Sequence, residues 1–134
     1  MKINDILEHS QWGRDPFYTE DRERKIYLAI AAVQNVASKN GIVLDFRDHF
    51  FDQLFAKRGM SRIDESMLLN TFGRILNRGL HLFKDKEDGT DLVYYDPTND
   101  LNIPFVKVKE GVYRIPTIVR DLRWLGPQRK VTLN

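Results

Sequence analysis

The chain has 134 residues, 42% hydrophobic and 30% charged, with a net charge of +2 and no cysteine. This composition predicts one domain, residues 1–134, with a buried core, and it excludes disulfides and thiolate metal sites. Acidic residues and the lack of a long apolar run near the N-terminus predict neither a signal peptide nor a membrane span. A cysteine-free chain suits a reducing compartment, so we expect a cytoplasmic location.

The N-terminal part of the chain has helical periodicity. We treat residues 1–18 as an N-terminal extension and residues 19–78 as a helical part. Thr19 is a good N-cap, and acids follow it in the first turn. Apolar residues then recur at helical spacing until Asn40-Gly41, which predicts a core-facing helix over residues 20–39.

Two shorter helices are predicted next. Apolar alternation over residues 42–46 indicates a short extended segment before them. The second helix runs from about Asp48 to Lys57. The third is predicted to start at Ser61, with Asp64 at its capping-box position.

After Gly79 the apolar period changes from helical to two. Residues 79–134 therefore read as an antiparallel meander, in which Pro116 is expected at a bulge or an edge. The predicted fold class is α+β, with N-terminal helices packed on a C-terminal antiparallel sheet of four to five strands. The predicted strands cover residues 80–84, 92–95, 103–109, 112–122 and 130–133, with turns at Asp88-Gly89, 96–100 and Glu110-Gly111.

Positive charge is concentrated in the C-terminal part of the chain. Residues 107–134 contain seven cations and two acids, a charge of +5 that leaves −3 for the rest. This asymmetry favours an anionic partner, and RNA is the first candidate. The alternative is that Lys and Arg lie on these strands because they face water. The candidate RNA-binding residues are Lys57, Arg58, Lys107, Arg123 and Lys130.

Metal-independent RNA cleavage requires a base, an acid and cations that hold the phosphate. His49 is the first candidate for acid or base, because Asp45 or Asp52 can orient its ring if the local turn is helical. The alternative is a half-buried packing residue at a helix start. His81, on the first predicted strand, is the second candidate.

The phosphate-holding candidates are Arg114 and Arg120, because the planar guanidinium pairs with phosphate through two hydrogen bonds. Their spacing of six puts them on one face of an unbroken strand, and the alternative is that Pro116, which lies between them, shifts that register. The aromatic residues of these strands are either base-stacking platforms or core residues. No motif indicates a metal site or a cofactor, and none is expected. The aromatic candidates are Tyr94, Tyr95, Tyr113 and Trp124.

Several of these segments resemble a known family. Asp48–Arg58, the helix opened by Ile63–Glu65, and Arg114–Val119 resemble the RegB-like mRNA endoribonucleases of phages. Residues 98–105 and 117–120 resemble phage proteins grouped with the RelE-like nucleases. The resemblance covers roughly residues 42–132.

The resemblance implies a RelE-like fold that cleaves mRNA, including ribosome-associated mRNA, without a metal, in the host cytoplasm. His49 matches a catalytic histidine of the RegB-like pattern. Gln53 and Gly73 stand where that pattern has an arginine and a second histidine. His81, Arg114 and Arg120 are then the expected substitutes. The alternative is an inactive RelE-like protein that binds nucleic acid or a host protein, or that belongs to the virion.

Overall fold

The structure is a computed structural model, which describes residues 14–56, 62–120 and 129–133. It has helices followed by a five-stranded sheet, so the α+β prediction is confirmed. A π-helical turn, Ile75–Gly79, and a 3-10 turn, Leu80–Phe83, lead from the helices to the sheet. The helices are α1 (Glu20–Lys39), α2 (Asp48–Phe55) and α3 (Glu65–Arg74), and the strands are β1 (Val43–Phe46), β2 (Asp91–Asp96), β3 (Leu101–Lys109), β4 (Val112–Ile115) and β5 (Arg129–Thr132).

The sheet is mixed rather than wholly antiparallel. Its strand order is β1-β4-β3-β2-β5. The central pairs β2–β3 and β3–β4 are antiparallel, as expected, and the Glu110-Gly111 turn joins β3 to β4. The edge strands β1 and β5 pair in parallel with β4 and β2. Parallel pairing is possible because long connections separate these partners in the chain.

The helix caps explain where α1 and α3 begin. The Thr19 hydroxyl accepts a hydrogen bond from the Arg22 amide at 3.3 Å, which confirms the predicted N-cap of α1. The Asp64 carboxylate accepts from the Met67 amide at 2.9 Å, so Asp64 is itself the N-cap of α3. The helix therefore begins at Glu65 and not at Ser61, which lies outside the described residues.

The predicted strand over residues 80–84 is wrong, because this segment continues the helical region as a 3-10 turn. Leu80 and Phe83 are the buried residues of the turn. Their spacing of three matches the three residues per turn of a 3-10 helix. The Asp88-Gly89 turn is present, and it precedes β2 without joining two strands.

The last predicted hairpin strand is shorter than expected. β4 ends at Ile115, directly before Pro116, which has no N–H group to continue the ladder. Val119 rejoins the sheet only through an isolated bridge to Asn102. The return strand after Asp88-Gly89 and the 96–100 turn are where the sequence predicts them.

The core lies between the helices and one face of the sheet. Leu44, Tyr113 and Phe105 contribute to this face and are buried. Side chains alternate across a strand, so Asp45 and Arg114 lie on the opposite face. The core face also contains Lys107, two residues after Phe105.

Candidate anion-binding site

Two arginines converge on one carboxylate where β1 ends and α2 begins. Asp45 and Arg114 are register partners in the parallel β1–β4 pair. Asp45 Oδ2 accepts a hydrogen bond from Arg47 Nη1 at 3.1 Å and lies 3.8 Å from Arg114 Nε. The Arg47 amide also donates to the Ile115 carbonyl at 3.2 Å, which ties the start of α2 to the end of β4. We call Asp45, Arg47 and Arg114 the arginine pair site.

The arginine pair site is open to water. The side chains of Arg47, Asp45 and Arg114 are 54%, 41% and 46% exposed. Water screens such ion pairs, so they add little to folding stability. Because both arginine side chains are about half exposed, their guanidinium N–H groups remain accessible to a phosphate.

His49 is the second residue of α2, next to this region, and it is exposed. The expected orienting contact with Asp45 or Asp52 is not present among the described residues. Asp45 is instead engaged by the two arginines. The imidazole is close in sequence to the arginine pair site, and it is exposed to solvent.

Arg120 and Arg114 occupy different parts of the sheet. Arg114 pairs with Val106 of β3, whereas Val119, the neighbour of Arg120, pairs with Asn102. A separation of four residues along β3 corresponds to about 13 Å. Arg120 Nη1 donates to the Arg62 carbonyl. The expectation that Arg114 and Arg120 share one face of an unbroken strand fails because β4 stops before Pro116.

His81 lies on the exposed side of the 3-10 turn and not on a strand. Its carbonyl accepts from the Lys84 amide at 3.0 Å, which closes the turn. Among the described residues, His81 forms no hydrogen bond or ion pair with the arginine pair site or with His49.

Lys107 requires a correction, because its side chain points into the protein. The residue is 4% exposed. Its ammonium donates to the Lys86 carbonyl at 2.8 Å and lies 3.1 Å from Glu110. Alternation along β3 places Lys107 on the same face as Phe105. Its side chain is therefore not accessible for the predicted contact with RNA.

The other RNA-binding candidates give no site geometry. Lys57, Arg58 and Arg123 lie outside the described residues. Lys130 lies in β5, opposite Val93. Of the predicted stacking platforms, Trp124 is also outside the described residues, and Tyr94 and Tyr113 are buried core residues whose phenol pKa values burial raises.

Arg47 is the site residue that the sequence did not single out. It precedes α2 as a residue of extended conformation without a side-chain cap. Its spacing of two from Asp45 permits contact, but its proximity to Arg114 depends on the parallel β1–β4 register. That pairing joins residues far apart in the chain and has no local signal.

No protein-family model, curated protein or solved structure matches the chain. The RelE/RegB-like resemblance therefore depends on the residues quoted above, and the roles it implies stay predictions. Within residues 14–56, 62–120 and 129–133, no helix is both long enough and apolar enough to cross a membrane. The same part of the chain has no group of three or more His, Asp or Glu side chains suited to a metal ion.

Proposed function

We propose that the chain is a metal-independent endoribonuclease acting on mRNA in the cytoplasm, with the arginine pair site as its phosphate-binding element. One observation supports this most directly: Arg47 and Arg114 converge on one anionic oxygen beside the helix that begins with Asp48-His49. A phosphodiester oxygen in the position of that carboxylate oxygen would accept hydrogen bonds from both guanidiniums. Arginine suits this role because its planar fork matches phosphate oxygens.

In the proposed reaction, the ribose 2′-oxygen loses its proton and attacks the adjacent phosphorus. The bond from phosphorus to the 5′-oxygen breaks, and that oxygen takes up a proton, leaving a cyclic 2′,3′-phosphate. His49 would serve as the base or the acid in one of these proton transfers. Arg47 and Arg114 would stabilise the extra negative charge that develops on the phosphate.

Arg120 and His81 are not part of this proposal. Arg120 would have to reach across about four residues of β3, roughly 13 Å, to contact the same phosphate as Arg114. Arg47 takes the phosphate-holding role for which Arg120 was a candidate, and His49 takes one of the two proton-transfer roles.

A second candidate is a non-catalytic module that binds nucleic acid or a host protein, or a virion component. The observation that favours it is that the exposed His49 ring has no carboxylate partner in the described part of the chain. Gln53 and Gly73 point the same way, since they replace residues of the RegB-like pattern. Such a module would bind RNA with a steep salt dependence and release no product.

The test is a cleavage assay on single-stranded RNA in EDTA. We expect the wild-type chain to release products with cyclic phosphate ends, and His49→Ala to lower the rate by about 100-fold or more. Arg47→Ala and Arg114→Ala should each weaken the reaction. Arg24→Ala is the matched control, because Arg24 is an exposed arginine on α1 whose partner is Asp21.

Each outcome of this assay is decisive. Full cleavage by His49→Ala would remove His49 from the reaction. Equal effects of Arg114→Ala and Arg24→Ala would remove the arginine pair site. Salt-sensitive binding without product would replace the endoribonuclease with the binding module.

A further inference from the structure

A cleft lies at the other end of α2 from the arginine pair site. The segment before α1 attaches there, since the Asp15 amide donates to the Phe55 carbonyl at 2.9 Å. The cleft has a volume of about 230 Å³ and lies between the starts of α1 and α3. This volume is below that of sites for drug-sized ligands, so it suits a small group such as one nucleotide base.

The apolar lining of the cleft is rigid. Tyr18 and Ile63 line it and are 6% and 0% exposed. The Tyr18 hydroxyl donates to the Ile63 carbonyl at 2.8 Å and accepts from the Ile63 amide at 2.6 Å. The lining is therefore formed before any ligand enters, which reduces the entropy cost of binding.

Cations from α1 line the same cleft. Arg22 and Lys25 are three residues apart, which places them on one face of the helix. The Arg22 guanidinium lies 4.0 Å from the Phe17 ring centroid and donates to the Phe17 carbonyl at 2.9 Å. Arg62 also lies over this ring, at 4.8 Å. The contacts of Arg22 hold its guanidinium at the edge of the cleft while most of its N–H groups stay available, whereas Arg62 also donates to Asp15 Oδ2 at 3.0 Å and does not line the cleft.

Carboxylates from the start of α3 complete the lining. Asp64 uses Oδ1 to cap α3, where it accepts from the Met67 amide and, at 2.7 Å, from the Ser66 hydroxyl. Glu65 is half-buried and has no hydrogen-bond or ion-pair partner among the described residues. Ionised carboxylates only accept hydrogen bonds, so they select ligand groups that donate.

We propose that this cleft binds one unpaired nucleotide of an RNA strand, with Arg22 and Lys25 on a phosphate and Glu65 on an exocyclic amino group of the base. The inference depends on the proposed function for the identity of the polymer. An eight-residue helix is about 12 Å long, so the strand has to extend over at least that distance to engage both the cleft and the arginine pair site. Duplex RNA is excluded because its bases are stacked and paired.

The lining chemistry also determines a base preference. Cytosine carries an exocyclic amino group that donates two hydrogen bonds at the ring position where uracil carries a carbonyl oxygen. A carboxylate attracts the amino group and repels the carbonyl oxygen. Cytosine should therefore bind better than uracil, and the difference should depend on the charge of Glu65.

The experiment is an NMR titration of the full chain with 5′-AMP, 5′-CMP, 5′-UMP and inorganic phosphate. We expect shifts at residues 17, 25, 64 and 65, with CMP binding at least about tenfold tighter than UMP, the effect of one hydrogen bond to a charged group. Lys25→Ala should weaken both nucleotides several-fold. Glu65→Gln should abolish the difference between CMP and UMP.

Arg24→Ala is the matched control for Lys25→Ala, because Arg24 and Lys25 both pair with Asp21 and only Lys25 lines the cleft. Equal effects of the two variants, equal affinity for CMP and UMP, or shifts confined to residues 45–49 would each overturn the inference. A trinucleotide of cytidylate should bind more tightly than CMP. Equal affinity of the two would overturn the assignment of the cleft to an RNA strand. Cleavage without nucleotide binding in the cleft refutes this inference alone, whereas binding without cleavage refutes only the endoribonuclease.

Discussion

Replacing Asp96 with Asn should remove a specific part of the acid sensitivity of folding. Asp96 ends β2 and is fully buried. Its Oδ2 accepts from the Thr71 hydroxyl at 2.6 Å, from the Asn99 amide group at 2.8 Å and from Arg74. The Thr98 amide donates to Oδ1 at 2.9 Å. This network connects α3 to the β2–β3 turn.

The magnitude follows from the pKa of Asp96. Burial alone would raise this pKa, but the hydrogen bonds from Arg74, Thr71 and Asn99 outweigh burial and lower it from 3.8 to about 2. A carboxyl group whose pKa is lower in the folded state than in the unfolded state contributes its full stabilisation at pH values above the unfolded pKa. The stabilisation is lost as the pH falls from about 4 to about 2, and it amounts to about 2 kcal/mol.

The assay is urea unfolding of the wild type and of Asp96→Asn between pH 7 and pH 2. At pH 7 the variant should be less stable by about 3 kcal/mol, because Arg74 loses its buried partner. The difference between the two proteins should shrink by about 2 kcal/mol below pH 4. Asp21→Asn is the control, because Asp21 is an exposed carboxylate whose pKa Lys25 also lowers, and it should follow the wild-type profile closely. A constant difference between wild type and Asp96→Asn from pH 7 to pH 2 would refute this account.

Two further predictions concern buried contacts. Gly79→Ala should destabilise the fold by about 1–3 kcal/mol, because a Cβ atom there would lie 2.7 Å from the Tyr94 ring. Gly73→Ala should instead stabilise α3 by about 1 kcal/mol, because a Cβ atom there would meet no other part of the protein within 4 Å. Thermal unfolding measures both variants, and stability changes of the same sign would contradict this prediction. Lys107→Met should cost about 1–3 kcal/mol by leaving the Lys86 carbonyl unpaired. It should leave RNA affinity unchanged in a filter-binding assay, and weaker RNA binding at unchanged folding would show that the ammonium reaches the ligand.

Local signals in the sequence predicted the elements that depend on neighbouring residues. The Thr19 cap and the apolar spacing of α1 predicted that helix over residues 20–39, as observed. The return strand, the 96–100 turn and the Glu110-Gly111 hairpin also appear where expected. The segment 80–84 was misread because Leu80 and Leu82 suggest alternation, whereas packing against the core selects Leu80 and Phe83.

The candidate site was only partly predictable, because its residues come from separate parts of the chain. His49 and Arg114 were chosen for their chemistry, and their chain positions gave no measure of the distance between them. Arg120 was grouped with Arg114 by counting residues along a strand that in fact ends at Ile115. Lys107 was counted as a surface cation because charge in the sequence does not reveal which face of β3 it lies on.

Local residue patterns specify the α+β class, the helix over residues 20–39 and the location of most strands in the C-terminal half of the chain, because caps, turns and apolar periods act over a few residues. The three-dimensional fold alone establishes the parallel pairing of β1 with β4, which brings Arg47, Asp45 and Arg114 together. It also decided the burial of Lys107 and the convergence of Arg22 and Glu65 on one cleft. These features depend on contacts between distant segments, whose formation is driven by burial of the common core and leaves no short-range pattern in the chain.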